Sequence, residues 1–440
     1  MSVGDVGNIN HSLFIPMSRF IIRGGKRLSG SFSPGGNKNA VLPMLAACVL
    51  TDEVVTLENV PLIDDVRTML ELLDKLGVSV EVKGHTVRLC AKGLRRSKLD
   101  PVLCGRVRSS ILLAGPLAAR LGRATLSPPG GDVIGRRRVD THFQGLAALG
   151  IEVEGGRHYV FRRRRLEGAT MVLDEASVTA TENVLMACVL AKGKTTIFNA
   201  ACEPHVTDLA MLLNKMGAGI SGIGTNRLEI EGVDSLRGAT HTVQPDYIEI
   251  GSYVAAAAMT GGELKVSGVE AEPLMIIGKT FQKVGIRFQI NGADLVLPPR
   301  QRMRVVKDFG AVIPTIADGP WPMFPSDLMS VLLVAATQAH GTVLFFEKMF
   351  ESRLYFVDNL IGMGAGMVVC DPHRVLVTGP SRLHRIHMAS PDIRAGMSLL
   401  MAALCAKGES VIHNAQSIDR GYERVEEKLR ALGADIVREG

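Results

Sequence analysis

The sequence predicts an α/β protein of two domains, each built from three repeats of about 70 residues with buried helices. Three features predict this class: Ala-rich apolar helical segments, amphipathic helical segments that end at a glycine, and alternating strand-like segments after the glycine. Six glycines recur at intervals of about 70 residues, namely Gly77, Gly150, Gly217, Gly285, Gly364 and Gly433. A chain of 440 residues is longer than a single hydrophobic core usually supports. We therefore expect the six repeats to form two lobes of three.

The first element of a repeat is a helical segment that is apolar on nearly every side. The clearest examples are residues 45–50, 185–190, 254–259, 331–336 and 400–405. A helix without a polar face is buried, so we expect these helices in the interior of each lobe.

The second helical element is amphipathic. In 66–75 and 422–431 the apolar residues recur at i, i+3, i+4 and i+7, and the glycine just beyond each segment predicts a C-cap. The segments 78–82 and 151–154 then alternate as half-buried strands do. The pattern predicts sheets and amphipathic helices that cover the interior helices.

Composition excludes several classes of protein. The longest uncharged apolar runs stop short of the roughly 20 residues that cross a bilayer, so no membrane interaction is predicted. Residues 1–17 lack the features of a signal peptide, and we predict that they form a flexible extension. We therefore expect a cytoplasmic protein. The seven cysteines contain no C-x-x-C pair and the histidines lack zinc-ligand spacing, so we expect neither disulfides nor a metal.

The net charge of +6 arises partly from two arginine runs, at 136–138 and 162–165. No aromatic residues interleave with either run as base stacking requires, so nucleic acid is not a predicted partner. We interpret the second run as a solvated turn. Nothing in the sequence implies an obligate protein partner.

Two glycine clusters resemble nucleotide-binding loops only in part. Residues 362–366 fall where a repeat closes a helix, so their role is structural. Residues 35–40 lack the Gly-Lys-Ser/Thr ending of a phosphate loop. Lys38 nevertheless begins a helix beside two glycines, where free backbone N–H groups and the helix dipole favour an anion.

A loop with an acid beside basic residues is the second candidate feature. Ser127-Pro-Pro-Gly-Gly-Asp132 cannot continue a helix or a strand, and the arginine run follows directly. We therefore predict that this segment forms a lid over the anion site. In a closed anionic site, burial and like-charge repulsion favour a protonated carboxyl group, so Asp132 is a candidate proton donor. The alternative is that Asp132 is a turn residue beside glycine.

Seven motifs together resemble the UDP-N-acetylglucosamine 1-carboxyvinyltransferase family, from about residue 20 to the C-terminus. They are Asn37-Lys-Asn-Ala-Val-Leu-Pro43, Val107-Arg-Ser-Ser110, the lid with its Pro-Gly-Gly-X-X-Ile-Gly-X-Arg pattern, Phe324-Pro-Ser-Asp327, Phe350-Glu-Ser-Arg353, Asp392-Ile-Arg-Ala395 and Asp419-Arg-Gly-Tyr-Glu-Arg424. The resemblance implies an inside-out α/β barrel of two domains. Domain 1 would comprise residues 18–37 and 245–440, and domain 2 residues 38–244 with the lid at 127–137.

The resemblance further implies transfer of the enolpyruvyl group of phosphoenolpyruvate to the 3-hydroxyl of UDP-N-acetylglucosamine, the first committed step of peptidoglycan synthesis, without a cofactor. The donor would be bound by Lys38, Arg137 and Arg420, with Asn39, Arg108 and Arg394 completing the site. Asp327 would act as base or orienting acceptor for the 3-hydroxyl, and Asp392 would assist proton transfer. The nucleotide sugar would contact Arg137, Arg138, Val139, Asp140, Thr141, Ser177, Val178, Thr179 and Met349. Locally, Asp327 is also a candidate helix cap, and Arg420 a candidate partner of Asp419.

The sequence departs from the family pattern in ways that affect function. Most members have Cys where this chain has Asp132, so we expect an active enzyme that fosfomycin does not inactivate. The family often has Pro, Lys and Arg where this chain has Arg138, Glu175 and Tyr247. A different nucleotide sugar is therefore an alternative acceptor. Transfer to shikimate 3-phosphate is a further alternative, although the Gly-Asn-Ala-Gly-Thr signature of that enzyme is absent. The third alternative is a non-catalytic paralogue that binds a nucleotide sugar.

Overall fold

The computed structural model describes residues 18–132, 134–135 and 137–440. The predicted extension 1–17 lies outside the described residues, and so do Val133 and Arg136 of the lid.

Strands and helices alternate along the whole described chain. The strands are β1 Arg19–Arg23, β2 Gly30–Phe32, β3 Val54–Glu58, β4 Ser79–Lys83, β5 Thr86–Cys90, β6 Arg123–Leu126, β7 Ile151–Glu154, β8 Tyr159–Arg163, β9 Thr170–Val172, β10 Lys194–Phe198, β11 Gly219–Ser221, β12 Arg227–Glu231, β13 Thr240–Thr242, β14 Leu264–Ser267, β15 Gln289–Asn291, β16 Asp294–Leu297, β17 Thr315–Ala317, β18 Gly341–Phe346, β19 Gly366–Asp371, β20 Arg374–Gly379, β21 His387–Ala389, β22 Glu409–His413 and β23 Asp435–Glu439.

The α-helices are α1 Lys38–Ala47, α2 Asp64–Leu76, α3 Pro101–Arg106, α4 Ala114–Leu121, α5 Asp140–Ala148, α6 Val178–Cys188, α7 Pro204–Lys215, α8 Tyr247–Met259, α9 Ala271–Phe281, α10 Met329–Ala336, α11 Val357–Gly362, α12 Ile393–Cys405, α13 Gln416–Asp419 and α14 Val425–Ala431. Short 3₁₀ segments also occur, at Cys48–Leu50, Ala91–Gly93, Arg108–Leu113, Gln282–Val284, Phe309–Ala311 and Ser326–Leu328.

Within the described chain these strands form six small sheets. Three come from residues 54–242, with the orders β13-β3-β5-β4, β6-β8-β7 and β11-β12-β10-β9. The other three have the orders β15-β16-β14-β2, β17-β18-β20-β19 and β21-β22-β1-β23. The five four-stranded sheets each contain one parallel pair, for example β13 with β3, beside antiparallel pairs. Of the run at 162–165, which we interpreted as a turn, Arg162 and Arg163 instead lie in β8, where Arg162 pairs with Glu154.

The predicted interior helices are confirmed. All of α10 is buried, as is α8 up to Ala258 and α12 up to Leu404. Helix α10 packs on both α8 and α12, and in the other half of the chain α6 packs on α4, α5 and α7. The absence of a polar face in these segments therefore reflects burial among other helices.

The closing glycines have the backbone conformation that the C-cap prediction requires. Gly77 follows α2 with φ 101°, and its N–H donates to the carbonyls of Asp74 and Leu73. Each of the other five closing glycines also has a positive φ, between 84° and 104°. A residue with a side chain is strained in this region, which explains the recurrent glycine.

The buried apolar side chains form two separate clusters. One runs from Ala40 to Val243, and the other combines Phe20, Ile22 and Leu28 with residues 247–436. The chain therefore enters the second cluster, leaves it before α1 and returns at α8. We call the two parts the 38–244 lobe and the 245–440 lobe. No helix in the described part of the chain is both long and apolar enough to span a bilayer.

Candidate active site

A cavity of about 270 Å³ lies between the two lobes and contains most of the predicted site residues. The predicted residues that line it are Lys38, Asn39, Arg108, Asp132, Arg137, Val178, Thr179, Asp327, Met349, Arg394 and Arg420. Other lining residues had no predicted role, and they include Asp65, Glu182, Glu203, His205, Trp321 and Arg353. Tyr247, a departure from the family pattern, also lines the cavity.

Lys38 begins α1 as predicted and takes part in an ion-pair chain. The Asn37 side chain caps the helix by accepting from the backbone N–H groups of Asn39 and Ala40. Lys38 Nζ lies 2.6 Å from Asp65 Oδ2, and both side chains are almost entirely buried. The helix start therefore presents its lysine to the cavity, with Asp65 at the start of α2 as its partner.

Arg420 continues this chain across the cleft. It belongs to the 245–440 lobe, and its Nε donates to Asp65 Oδ1 at 2.9 Å while its Nη1 donates to Asp132 Oδ1. Burial alone would raise the pKa of Asp65, but Lys38 and Arg420 hold the pKa of that carboxyl below its usual range. The local alternative for Arg420 was wrong, because Asp419 pairs with Arg438 instead.

The described residues of the lid lie in the cleft and contact both lobes. A Cβ atom on Gly130 would lie 1.8 Å from the carbonyl oxygen of Gly105, so only glycine fits there. At the other end of the lid, the backbone N–H of Ser352 donates to the carbonyl of Ile134 at 3.4 Å. Between these contacts the Asp132 side chain, 17% exposed, faces the cavity.

Two further arginines lie beside the lid. Arg108 Nη2 donates to the backbone carbonyls of Arg137 and Arg138, at 2.8 and 3.1 Å. Burial, and then the charge of Arg137, lower the pKa of Arg108 to about 10. Burial and the charge of Arg353 likewise lower the pKa of Arg137. Neither arginine forms an ion pair with a carboxylate among the described residues, so this side of the cavity is suited to bind an anion.

Asp327 lies between two other buried arginines. Arg353 Nη2 donates to its Oδ1 at 2.9 Å, and Arg394 Nη2 donates to its Oδ2 at 3.0 Å. Asn39 Nδ2 contacts the same Oδ2 from the opposite lobe at 3.5 Å. Although burial would raise the pKa of Asp327, Arg394 and Arg353 hold it far below its usual range. Asp327 is therefore a permanent carboxylate, not the predicted alternative of a helix cap.

The predicted nucleotide-sugar residues divide into two groups. Val178 and Thr179, at the start of α6, line the cavity, and the Thr179 hydroxyl contacts His142 Nε2 at 3.1 Å. Arg138, Val139, Asp140, Thr141 and Ser177 do not line it. Arg138 forms an exposed ion pair with Asp140, and the Thr141 hydroxyl donates to Glu175 at 3.3 Å.

Asp392 does not line the cavity either. Its Oδ1 accepts from the backbone N–H groups of Arg394 and Ala395, so the side chain caps α12. This cap places Arg394 at the first turn of α12, where the guanidinium reaches Asp327. The proton-transfer role assigned to Asp392 stays a prediction.

A buried pair of carboxyl groups supports the loop that carries Met349 and Arg353. Glu347 and Asp318 are both fully buried. Glu347 accepts from the Ser326 hydroxyl at 3.0 Å and from the backbone N–H groups of Met349 and Phe350, and Asp318 Oδ1 accepts from the backbone N–H of Lys348 at 2.6 Å. Burial and the Asp318 carboxyl raise the pKa of Glu347 well above its usual range. Glu347 therefore holds a proton in the folded protein at neutral pH.

The wild type is expected to lose stability as the pH rises because Glu347 is buried, and Glu347→Gln is expected to abolish this loss. Because the folded pKa is raised, the protonated side chain stabilises the fold fully below about pH 4.3, and this contribution is lost as the pH rises toward the folded pKa. The free energy of unfolding of Glu347→Gln minus that of the wild type should grow by up to about 1.4 kcal/mol per pH unit above about pH 5. Urea denaturation at several pH values measures the difference, and parallel pH profiles would contradict the assignment.

The chain is similar to known proteins over most of its length. The model of the EPSP synthase family (3-phosphoshikimate 1-carboxyvinyltransferase) matches residues 22–429. The UDP-N-acetylglucosamine 1-carboxyvinyltransferase of Bradyrhizobium diazoefficiens is 53% identical over 96% of this chain and 98% of its own length. The enzyme of the same name from Treponema denticola is 50% identical over 96% of this chain and 99% of its own length.

Solved structures confirm the predicted two-domain, inside-out α/β fold. The enolpyruvyl transferase NikO from Streptomyces tendae superposes with a TM-score of 0.85 at 25% identity, over 96% of this chain and 99% of its own. EPSP synthase from Acinetobacter baumannii superposes with a TM-score of 0.75 at 18% identity, over 96% and 100%. The chain is therefore an enolpyruvyl transferase and belongs, within the EPSP synthase family, to the UDP-N-acetylglucosamine 1-carboxyvinyltransferases.

Proposed function

We propose that the protein transfers the enolpyruvyl group of phosphoenolpyruvate to the 3-hydroxyl of UDP-N-acetylglucosamine and releases phosphate. The observation that carries the proposal is the composition of the cavity between the lobes, where cations from both lobes surround the lid acid Asp132 and the carboxylate Asp327 lies beside them. Family membership supports the donor chemistry, and the names of the relatives support the acceptor.

The donor carries a carboxylate and a phosphate, so its site must supply several cations. Lys38, Arg108, Arg137 and Arg420 would supply them, and Asn39 would help to orient the ligands. Arg108 and Arg137 have depressed pKa values because burial and like charges disfavour their charged forms. An anion bound between them would relieve that repulsion. Fixed cations also favour the phosphate dianion as it leaves, because the site needs no reorganisation during the reaction.

Asp132 would act as general acid. In the first step the 3-hydroxyl oxygen bonds to C2 of phosphoenolpyruvate, the hydroxyl proton passes to a phosphate oxygen of the donor, and Asp132 donates a proton to C3, which becomes a methyl group. In the second step the bond from C2 to the phosphate oxygen breaks and the methyl group returns a proton, so that the C2–C3 double bond forms again. Asp132 is paired with Arg420 in this structure. Substrate phosphate would take over that arginine and release the carboxyl group for protonation.

Asp327 would orient the acceptor hydroxyl. Two arginines hold its pKa far below the usual range, which makes it a weak base but a strong hydrogen-bond acceptor. Val178, Thr179 and Met349 would contact the nucleotide sugar inside the cavity. Arg138, Val139, Asp140, Thr141 and Ser177 would contact its uridine and diphosphate at the edge, and Asp392 would assist proton transfer.

The proposed reaction is the first committed step of peptidoglycan synthesis, and the proposed location is the cytoplasm, where both substrates are made. A carboxylate is a poorer nucleophile than a thiolate toward the epoxide of fosfomycin, so the proposed enzyme is insensitive to this drug.

Release of inorganic phosphate tests the proposal against its alternatives. The purified protein is mixed with phosphoenolpyruvate and either UDP-N-acetylglucosamine or shikimate 3-phosphate, and phosphate is measured over time. We expect phosphate release with UDP-N-acetylglucosamine as the acceptor and no release with shikimate 3-phosphate. Release with shikimate 3-phosphate alone would identify the sister activity, and release with neither would contradict the proposed acceptor.

A further inference from the structure

One corner of the cavity contains acids that the proposed mechanism does not use. Glu182 on α6 is 1% exposed, and Glu203 precedes α7. Both side chains line the cavity. In the described part of the chain, Glu182 Oε1 and Glu203 Oε2 are buried without a hydrogen-bond partner. Such atoms are rare in native proteins because an unpaired buried polar group is costly, so these oxygens point to a ligand.

The two acids are not paired with a cation among the described residues. Within the described chain neither acid forms an ion pair with Lys or Arg. Burial, followed by the charge of Glu203, raises the pKa of Glu182, and burial raises that of Glu203. When protonated, such a carboxyl group donates and accepts hydrogen bonds, and when ionised it only accepts them. It therefore suits an uncharged hydroxyl or amide and disfavours a phosphate or carboxylate.

The remaining walls of the corner are aromatic or neutral. Tyr247 Oη contacts His205 Nδ1 at 3.4 Å, and burial lowers the pKa of His205 to about 4, so the imidazole is neutral at pH 7. Tyr247 stands where the family resemblance predicts Arg. The rings of Tyr247 and Trp321 lie 6.1 Å apart, and both residues belong to the 245–440 lobe, whereas Glu182, Glu203 and His205 belong to the 38–244 lobe. At position 247 this chain therefore has an aromatic side chain that forms hydrogen bonds, where the family resemblance predicts a cation.

We propose that Glu182 and Glu203, together with His205, Tyr247 and Trp321, bind the uncharged, hydroxyl-bearing part of the acceptor. We call these five residues the acid corner. The cations around Asp132 attract the anionic donor, whereas the acid corner accepts only a neutral polar group, so the two ends of the cavity distinguish the two substrates. This inference rests on the proposed function for the presence of a sugar acceptor, and it assigns specificity to Glu182 in particular.

The test separates acceptor binding from donor binding. Glu182→Gln keeps a group that donates and accepts hydrogen bonds, whereas Glu182→Leu removes it at similar volume. We expect Glu182→Leu to raise KM for UDP-N-acetylglucosamine about 10-fold or more and KM for phosphoenolpyruvate less than about 2-fold. Glu182→Gln should remain within about 3-fold of wild type for both substrates. Glu231→Gln, an exposed change in β12 of the same lobe, is the matched control.

Calorimetric titration of each variant with UDP-N-acetylglucosamine gives a second measurement that needs no turnover. If the wild type binds UDP-N-acetylglucosamine and Glu182→Leu binds it with the same affinity, the inference is overturned while the proposed function stands. A larger effect on phosphoenolpyruvate than on the sugar would overturn it as well. Absence of binding to the wild type would instead contradict the proposed acceptor, and the inference with it. If Glu182→Leu does not fold, Glu203→Leu is measured in the same way, because Glu203 is less buried.

Discussion

The Asp132→Asn variant is expected to lose at least about 100-fold in kcat, because the amide keeps the shape of the side chain but has no proton to donate to C3 of phosphoenolpyruvate. The KM for UDP-N-acetylglucosamine should change little, since Asp132 contacts Arg420 and lies on the donor side of the cavity. Phosphate release at saturating substrate measures the effect. An Asn variant with wild-type turnover would remove Asp132 from the role of general acid.

Asp132→Cys is the matched control for this prediction. A thiol also carries a proton, so the Cys variant should keep substantial activity. It should in addition be inactivated by fosfomycin in a time-dependent manner, whereas the wild type and Asp132→Asn should not. Drug inactivation of the wild type would contradict the proposed insensitivity, and a Cys variant that resists the drug would show that residue 132 does not approach it.

Asp327→Ala is expected to lower both activity and stability. The change leaves Arg353 and Arg394 without their carboxylate, although both are at least nine-tenths buried. Removal of one partner from a buried ion pair typically costs about 3–5 kcal/mol, since the remaining charge is uncompensated. We expect a fall of that order in the free energy of unfolding and a loss of about 1,000-fold or more in kcat/KM, because the acceptor hydroxyl is no longer oriented.

Asp327→Asn separates the two effects. The amide oxygen still accepts one hydrogen bond and the volume is unchanged, so stability should lie closer to the wild type while activity stays low. Urea denaturation and phosphate release measure the two quantities on the same preparations. If Asp327→Ala unfolds at the wild-type urea concentration, the two guanidinium groups do not depend on Asp327, and its assigned place in the site is wrong.

Local sequence patterns predicted the architecture because its determinants are local. A helix without a polar face has to be buried, and a glycine after an amphipathic helix has to adopt a positive φ; α8 and Gly77 illustrate the two cases. Motifs whose residues share one segment, such as Lys38 at the start of α1, were placed correctly for the same reason.

The missed residues depend on contacts between distant parts of the chain. Asp65 pairs with Arg420 across 355 positions of sequence, and no local pattern distinguishes it from an ordinary acid in the first turn of a helix. Arg353 was quoted within a motif, but its role became visible only through Asp327. Asp392 caps α12, as an acid before a helix commonly does, and its role in proton transfer stays a prediction.

The ion pairs across the cleft connect the two lobes through residues that we propose to bind substrate. Arg420 from one lobe contacts Asp65 and Asp132 from the other, and the lid contacts the loop at Ser352. Donor phosphate would compete with Asp132 for the same guanidinium. Binding of the donor and movement of the lid acid are therefore coupled in this account.

A crystal structure of Asp132→Asn with UDP-N-acetylglucosamine and phosphoenolpyruvate tests the central claim most directly. The account predicts the donor phosphate and carboxylate bound among Lys38, Arg137 and Arg420, the residue 132 amide within about 3.5 Å of C3, and the 3-hydroxyl of the sugar on Asp327. A donor bound away from these cations, or residue 132 directed out of the cleft with both substrates in place, would contradict it.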